Sequence, residues 1–121
     1  MLGRDPNHGE AVHLLGIVAL QAKDPKSAAG LFRRAIAADA KNAEAQMNLG
    51  IALSLTGKHK EGREALETAG RLKPGSAQIQ YNLGLADMES GQAVEALAHF
   101  KKAARAAPRD ATILGALGVL H

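Results

Sequence analysis

The chain has 121 residues, a formal net charge of +3 and 46% apolar residues, yet only two Phe, one Tyr and no Trp. It has no cysteine, which excludes disulfides, thiolate metal sites and a cysteine nucleophile. It also lacks both an apolar run of about 18 residues for a membrane span and a charged-then-apolar leader, so a cytoplasmic setting is the expectation.

With so few aromatic residues, packing falls to Ala, Leu and Gly, which suits closely apposed helices. β-Branched residues are too sparse and scattered to mark strands, and an all-α fold is predicted. Early in the chain, Asp24-Pro25 supplies a cap and a proline at the first helical position, which starts a helix. Ala43 to Leu55 carries apolar residues at helical spacing, and Gly57 is placed to end that helix. Another helix follows over about Lys60 to Leu72 and stops before Pro74.

A single interval runs through these elements. Leu-Gly pairs stand at Leu15-Gly16, Leu49-Gly50, Leu83-Gly84 and Leu117-Gly118, each 34 residues after the last. Ala28, Gly62 and Ala96 keep that period, as do Phe32, Leu66 and Phe100, and Ala35, Ala69 and Ala103. Pro6, Pro74 and Pro108 are in register, with Ala40 where the missing proline would fall. The small residues let two helix backbones approach closely, and Leu15, Leu49 and Leu83 are expected to fill the same seam.

These residues closely resemble the tetratricopeptide repeat, whose pattern is a bulky residue, Leu-Gly, an aromatic, then Ala-x-x-x-Phe, Ala and Pro. The resemblance implies a right-handed α-solenoid of antiparallel helix pairs. Repeats are read at 9–42, 43–76 and 77–110, with the first helix of a fourth, incomplete repeat at 111–121. Residues 1–8 read as the tail of a preceding repeat or an N-terminal extension. The sequence departs from the pattern at the bulky first position, which holds Val12, Gln46, Gln80 and Leu114. The aromatic position holds Ala19, Leu53 and Asp87. A buried unpaired carboxylate is costly, so Asp87 is expected to reach the edge and meet solvent or a Lys or Arg.

Residues four and seven apart share one face of a helix. Gln46, Leu49, Gly50 and Leu53 form the stripe toward the partner helix. Glu44, Asn48, Ile51 and Leu55 form a second stripe, matched by Gln78, Asn82, Leu85 and Glu89 and by Glu10, Leu14, Ile17 and Gln21. In the tetratricopeptide repeat this second stripe lines the concave surface where extended peptides lie. The resemblance therefore implies a peptide-binding groove of His13, Ile17 and Gln21, then Glu44, Met47, Asn48 and Ile51. Gln78, Tyr81, Asn82, Leu85 and Met88 continue it. For Ile17, Ile51 and Leu85, packing against neighbouring first helices is the other reading.

All 15 Lys and Arg lie outside the four first helices, which instead carry Glu10, Glu44, Asp87 and Glu89. A groove without cations is a poor trap for phosphate or a C-terminal carboxylate. Some members of the family hold chaperone tails through a basic carboxylate clamp on these helices. Here the matching positions hold His13, Met47, Tyr81 and other uncharged residues. Neutral or basic ligands are therefore expected, with neither acidic segments nor nucleic acid as partners.

Asn48 and Asn82 each offer one acceptor and two donors, enough to bond an extended backbone while ignoring its side chains. First helices stacked about 10 Å apart would span about three residues of such a chain. Resemblance to O-linked sugar-transferase repeat arrays implies an asparagine ladder of this kind. It is partial here, because the outer repeats hold Leu14 and Ala116. A structural role, bonded to a neighbour or to solvent, is the competing reading.

Other constellations carry little. His8 and His13 are five apart with no ligand at the helical spacing, so no metal site is expected, and Glu95 with His99 reads as an ion pair. Lys58-His59-Lys60 with Arg63 reads as a solvated basic turn. There is no phosphate loop, nucleophile elbow or pair of catalytic carboxylates, so neither an enzyme nor a cofactor is expected. The sequence thus predicts a protein-interaction scaffold that takes an extended partner segment in its groove. Two alternatives stay open. One is self-assembly into a homo-oligomer through the apolar end at 111–121, with Ile113, Leu114, Leu117, Val119 and Leu120. The other is the repeat region of a larger bacterial glycosyltransferase or sulfotransferase, whose opening repeats the stretch EAVHLLGIVALQAKD resembles.

Overall fold

The computed structural model describes the backbone of residues 8–120 and the side chains of residues 8–115. In order, the helices are α1 (His8–Gln21), α2 (Pro25–Ala38), α3 (Ala43–Leu55), α4 (His59–Leu72), α5 (Ala77–Glu89), α6 (Ala93–Ala106) and α7 (Ala111–Leu120). No strand occurs among the described residues. The bounds of α3 are those expected, and α4 begins one residue earlier. Residues 1–7, the side chain of Ala116, and those of Leu117, Val119 and Leu120 on which part of the self-assembly reading rests, lie outside the described residues.

Local chemistry sets the helix ends. Asn42 Oδ1 accepts from Ala45 N–H (3.0 Å), Ser76 Oγ from Ile79 N–H (3.3 Å) and Asp110 Oδ1 from Ile113 N–H (3.3 Å), which caps α3, α5 and α7. Asp24 Oδ1 caps α2 through Ser27 N–H (3.2 Å), with Pro25 at the first position. Such caps are each worth about 1 kcal/mol. The turns inside the hairpins share one device, a left-handed residue at Lys23 (φ 64°), Gly57 (φ 86°) and Gly91 (φ 74°). Two of the three are glycine, which takes this conformation without strain.

Packing then separates the two halves of each Leu-Gly pair. A β-carbon added at Gly16 would lie 2.6 Å from the Phe32 ring, and one at Gly50 2.7 Å from both the Gly62 carbonyl and Leu66. Gly84 meets Phe100 in the same way. The glycines therefore face the second helix of their own pair. Leu49, by contrast, clusters with Ala28, Ala29 and Phe32 of α2, the second helix of the pair before. Neighbouring residues are about 100° apart around a helix, so one dipeptide serves two interfaces. This corrects the expectation that the leucines fill the glycine seam. Leu49 and Leu83 are buried, whereas Leu15 is 56% exposed.

Asp87 is a second correction. Its side chain is fully buried, so it does not reach the edge, and it accepts a hydrogen bond from His99 Nδ1 at 2.6 Å. His99 correspondingly turns Nδ1 toward α5 rather than toward Glu95. In register, the same two positions hold Ala19 and Leu31 in the first pair and Leu53 and Ala65 in the second. A polar pair has replaced an apolar one. The chain divides into two compact units, Met1–Leu72 with α1 to α4 and Lys73–His121 with α5 to α7.

Candidate functional site

The residues assigned to the groove separate into two rows. One row is drawn into the hairpin seams. His13 is buried, with its ring edge-on to Phe32 at 5.5 Å between centroids. Met47, at the equivalent position of α3, is buried to 3% exposure. Tyr81 is half-buried, its ring 5.6 Å from that of Phe100. Each precedes the second stripe by one position, and a rotation of about 100° carries it toward its own second helix. His13 and Met47 are therefore corrected from groove-lining to core, and Tyr81 is held by α6.

The other row stays accessible. In the first unit Gln21 and Glu44 are exposed, and Asn48 and Ile51 are half-buried. Ile17 packs partly against the core of Ala28, Phe32 and Leu53, which settles it as a packing residue with one exposed flank. On α5 of the second unit, Gln78 is exposed, Asn82 half-buried, and Leu85 and Met88 are 39% and 41% exposed. Two apolar residues of this stripe were missing from the expected lining. Leu14 is 57% exposed, and Leu55, seven residues after Asn48, is 64% exposed. The signal was present in the helical spacing itself.

Both asparagines are partly engaged. Asn48 Nδ2 donates to His13 Nε2 at 3.0 Å, which ties α3 to α1, and Asn82 Nδ2 donates to the Gln78 carbonyl at 2.9 Å. An amide carries two N–H groups and an oxygen, so these bonds orient each side chain and leave an acceptor and one donor for a ligand.

No Lys or Arg occurs on α1, α3, α5 or α7. The cations sit on the second helices and turns. Lys26, Arg33 and Lys58 flank a depression floored by Ala29, Gly30 and Leu53, with Arg33 3.7 Å from Glu61. The Asp24 carboxyl is held below its ordinary value by hydrogen bonds from Ser27, first from its side chain and then from its backbone. Among the described residues no three His, Cys, Asp or Glu gather to hold a metal, and no helix is long and apolar enough to cross a membrane.

Helix hairpins with a recurring small-residue seam, each stripe returning after 34 residues, define a helical-repeat protein. Models of the tetratricopeptide repeat match residues 19–86 and 81–121, the first alone more than half of the chain. The chain belongs to the tetratricopeptide-repeat family. Among solved structures it is similar to the Arabidopsis OM64 TPR domain (TM-score 0.88, 21% identity, 93% of each chain). It is also similar to an O-GlcNAc transferase mutant from Thermobaculum terrenum (TM-score 0.90, 25% identity), over 99% of this chain and 23% of that one. A third likeness is to the first TPR of Spaghetti (RPAP3) bound to the HSP90 peptide SRMEEVD (TM-score 0.91, 14% identity, 97% of this chain and 95% of that one). No curated protein matches the chain.

Proposed function

We propose that the chain is a protein-interaction scaffold, without chemistry of its own, that holds an extended neutral or basic segment along the second stripe of its first helices. The observation that carries this reading is the stripe's composition. In the first unit exposed Leu14 and Leu55 share that stripe with the oriented Asn48 amide and acidic Glu44, and in the second exposed Leu85 shares it with the oriented Asn82 amide, with no cation in either. Apolar side chains of a ligand would desolvate against the leucines, while the amides bond its backbone. The RPAP3 domain, alike in fold, is seen with a peptide, which supports the binding mode. That peptide, SRMEEVD, is rich in carboxylates, whereas first helices lacking Lys and Arg favour the opposite charge.

Peptides selected from a random display library against the whole chain should be extended, poor in Asp and Glu, and only weakly sensitive to salt. Leu55→Glu with Asn48→Ala should weaken them by about 1–3 kcal/mol, read by fluorescence anisotropy, with the fold checked by circular dichroism. Selection of acidic sequences, or affinity unchanged in the double variant, contradicts the proposal.

A second reading, in which these repeats serve a larger sugar-transferring enzyme, is favoured by the 25% identity to the Thermobaculum terrenum transferase over 99% of this chain. The reading frame of the natural gene decides it. A catalytic domain in the same frame supports that reading, and a frame holding repeats alone removes it.

A further inference from the structure

Away from the peptide-binding stripe, α2 and the end of α3 with its following turn enclose a depression of about 490 Å³. Its floor is apolar. Ala29 and Leu53 are buried there, and a β-carbon added at Gly30 would meet nothing within 4 Å. Its rim is basic and exposed. Lys26 and Arg33, seven residues apart, share one face of α2, and Lys58 joins them from the turn. Arg33 lies 3.7 Å from Glu61, with both side chains about half exposed, and pairs of this kind contribute little. Among the described residues, neither Lys26 nor Lys58 is paired with a carboxylate. The repeat can be built without this rim. In register, 34 residues later, the chain has Arg63 for Ala29, Glu64 for Gly30, Glu67 for Arg33, Asp87 for Leu53 and Gln92 for Lys58. There Arg63 is held by Glu67 at 3.4 Å.

We infer that the depression of the first unit is a binding site for the phosphoryl group of a phosphorylated serine or threonine in a partner protein. Charge favours phosphate over a carboxylate. A phosphoryl ester carries about −1.5 to −2 and three strong acceptor oxygens, which suits three cationic side chains drawn from two elements. Arg33 offers a planar fork, and the two lysines offer mobile point charges. The apolar floor accommodates the carbon atoms that bear the phosphoryl group. The concave shape suits one such group on a side chain, whereas a nucleic acid presents a row of phosphates and a membrane a broad anionic surface. The site shares no residue with the peptide-binding stripe, so the two proposals fail separately.

The test uses the whole chain and an array of short peptides, random except for a central phosphoserine or phosphothreonine, beside the same array unphosphorylated. Binding is expected on the phosphorylated array alone. For the tightest peptide, anisotropy should show at least tenfold weaker binding with Gly30→Glu, which sets a carboxylate in the open space at the floor. Lys26→Glu with Lys58→Glu should have the same effect. Melting should not fall in either variant, because all three positions are exposed. Lys101→Glu with Lys102→Glu makes the same change of net charge on exposed residues of α6 and should leave affinity within twofold. Asn48→Ala, on the peptide-binding stripe, should do likewise. An equal loss in the α6 variant, or equal binding of the two arrays, overturns the inference. So does tighter binding, abolished by Gly30→Glu, of a short single-stranded DNA or of phosphatidylserine vesicles, because the ligand would then be of another class. Inorganic phosphate that displaces the peptide at the peptide's own concentration also overturns it, since the protein segment would then contribute nothing.

Discussion

Lys23 occupies the left-handed turn position that glycine holds at 57 and 91. A side chain at φ 64° is strained by roughly 1–2 kcal/mol, and only part of that is offset by the freedom glycine gains when unfolded. Lys23→Gly should therefore stabilise the fold by about 0.5–1 kcal/mol, read as a rise in the thermal midpoint. An unchanged or lower midpoint would show that Lys23 is held by contacts worth more than its strain. The neighbouring Asp24 gives a pH signature. Its folded carboxyl lies below the ordinary value of 3.8, so the cap contributes fully above that pH and is lost as pH falls through the lower folded value. Asn caps helices about as well without titrating. Asp24→Asn should therefore match the parent at pH 7 and exceed it in acid, in melts followed by circular dichroism. Parallel loss of stability in the two proteins below pH 3.8 would remove Asp24 from the account.

Between α5 and α6, the hydrogen bond between buried Asp87 and half-buried His99 replaces the apolar contact that Leu53 and Ala65 make possible between α3 and α4. Removing one partner of a buried polar pair costs several kcal/mol, whereas replacing both with apolar residues of fitting volume is often neutral or stabilising. His99→Ala should thus destabilise the hairpin by about 1–3 kcal/mol. The double variant Asp87→Leu with His99→Ala, which copies the second pair, should recover most of that loss. If the double variant melts below the single one, the pair is a specific requirement of this hairpin. The contact also shows why parts of the fold were hard to read. The helices and their period were legible because packing fixes residue size at each turn, as in Phe32, Leu66 and Phe100. Partners such as Asp87 and His99 meet only once the hairpin closes, and their signal is a joint departure from Ala19–Leu31 and Leu53–Ala65. The first-helix caps escaped notice because Asn42, Ser76 and Asp110 keep a chemistry, not an identity. His13 and Met47 were misplaced by a single step around the helix, the difference between a seam and a surface.

For the molecule as a whole, charge is segregated by element. First helices present apolar and amide groups with a few carboxylates, while Lys and Arg crowd the second helices and turns. The asymmetry leaves the first-helix stripes neutral to acidic and gives the second helices a basic surface, whose attraction to polyanions would be screened by salt. Within each unit the glycine seams hold the hairpins close enough that the second stripe stays outward. The exposed leucines and oriented amides are thus consequences of the same repeat that builds the core. Hydrogen exchange of the whole chain, with and without a saturating selected peptide, tests this most directly. The account predicts added protection in α3 and α5, centred on Asn48 to Leu55 and Asn82 to Met88, with α2, α4 and α6 unchanged. Protection confined to α2, α4 and α6 would contradict it.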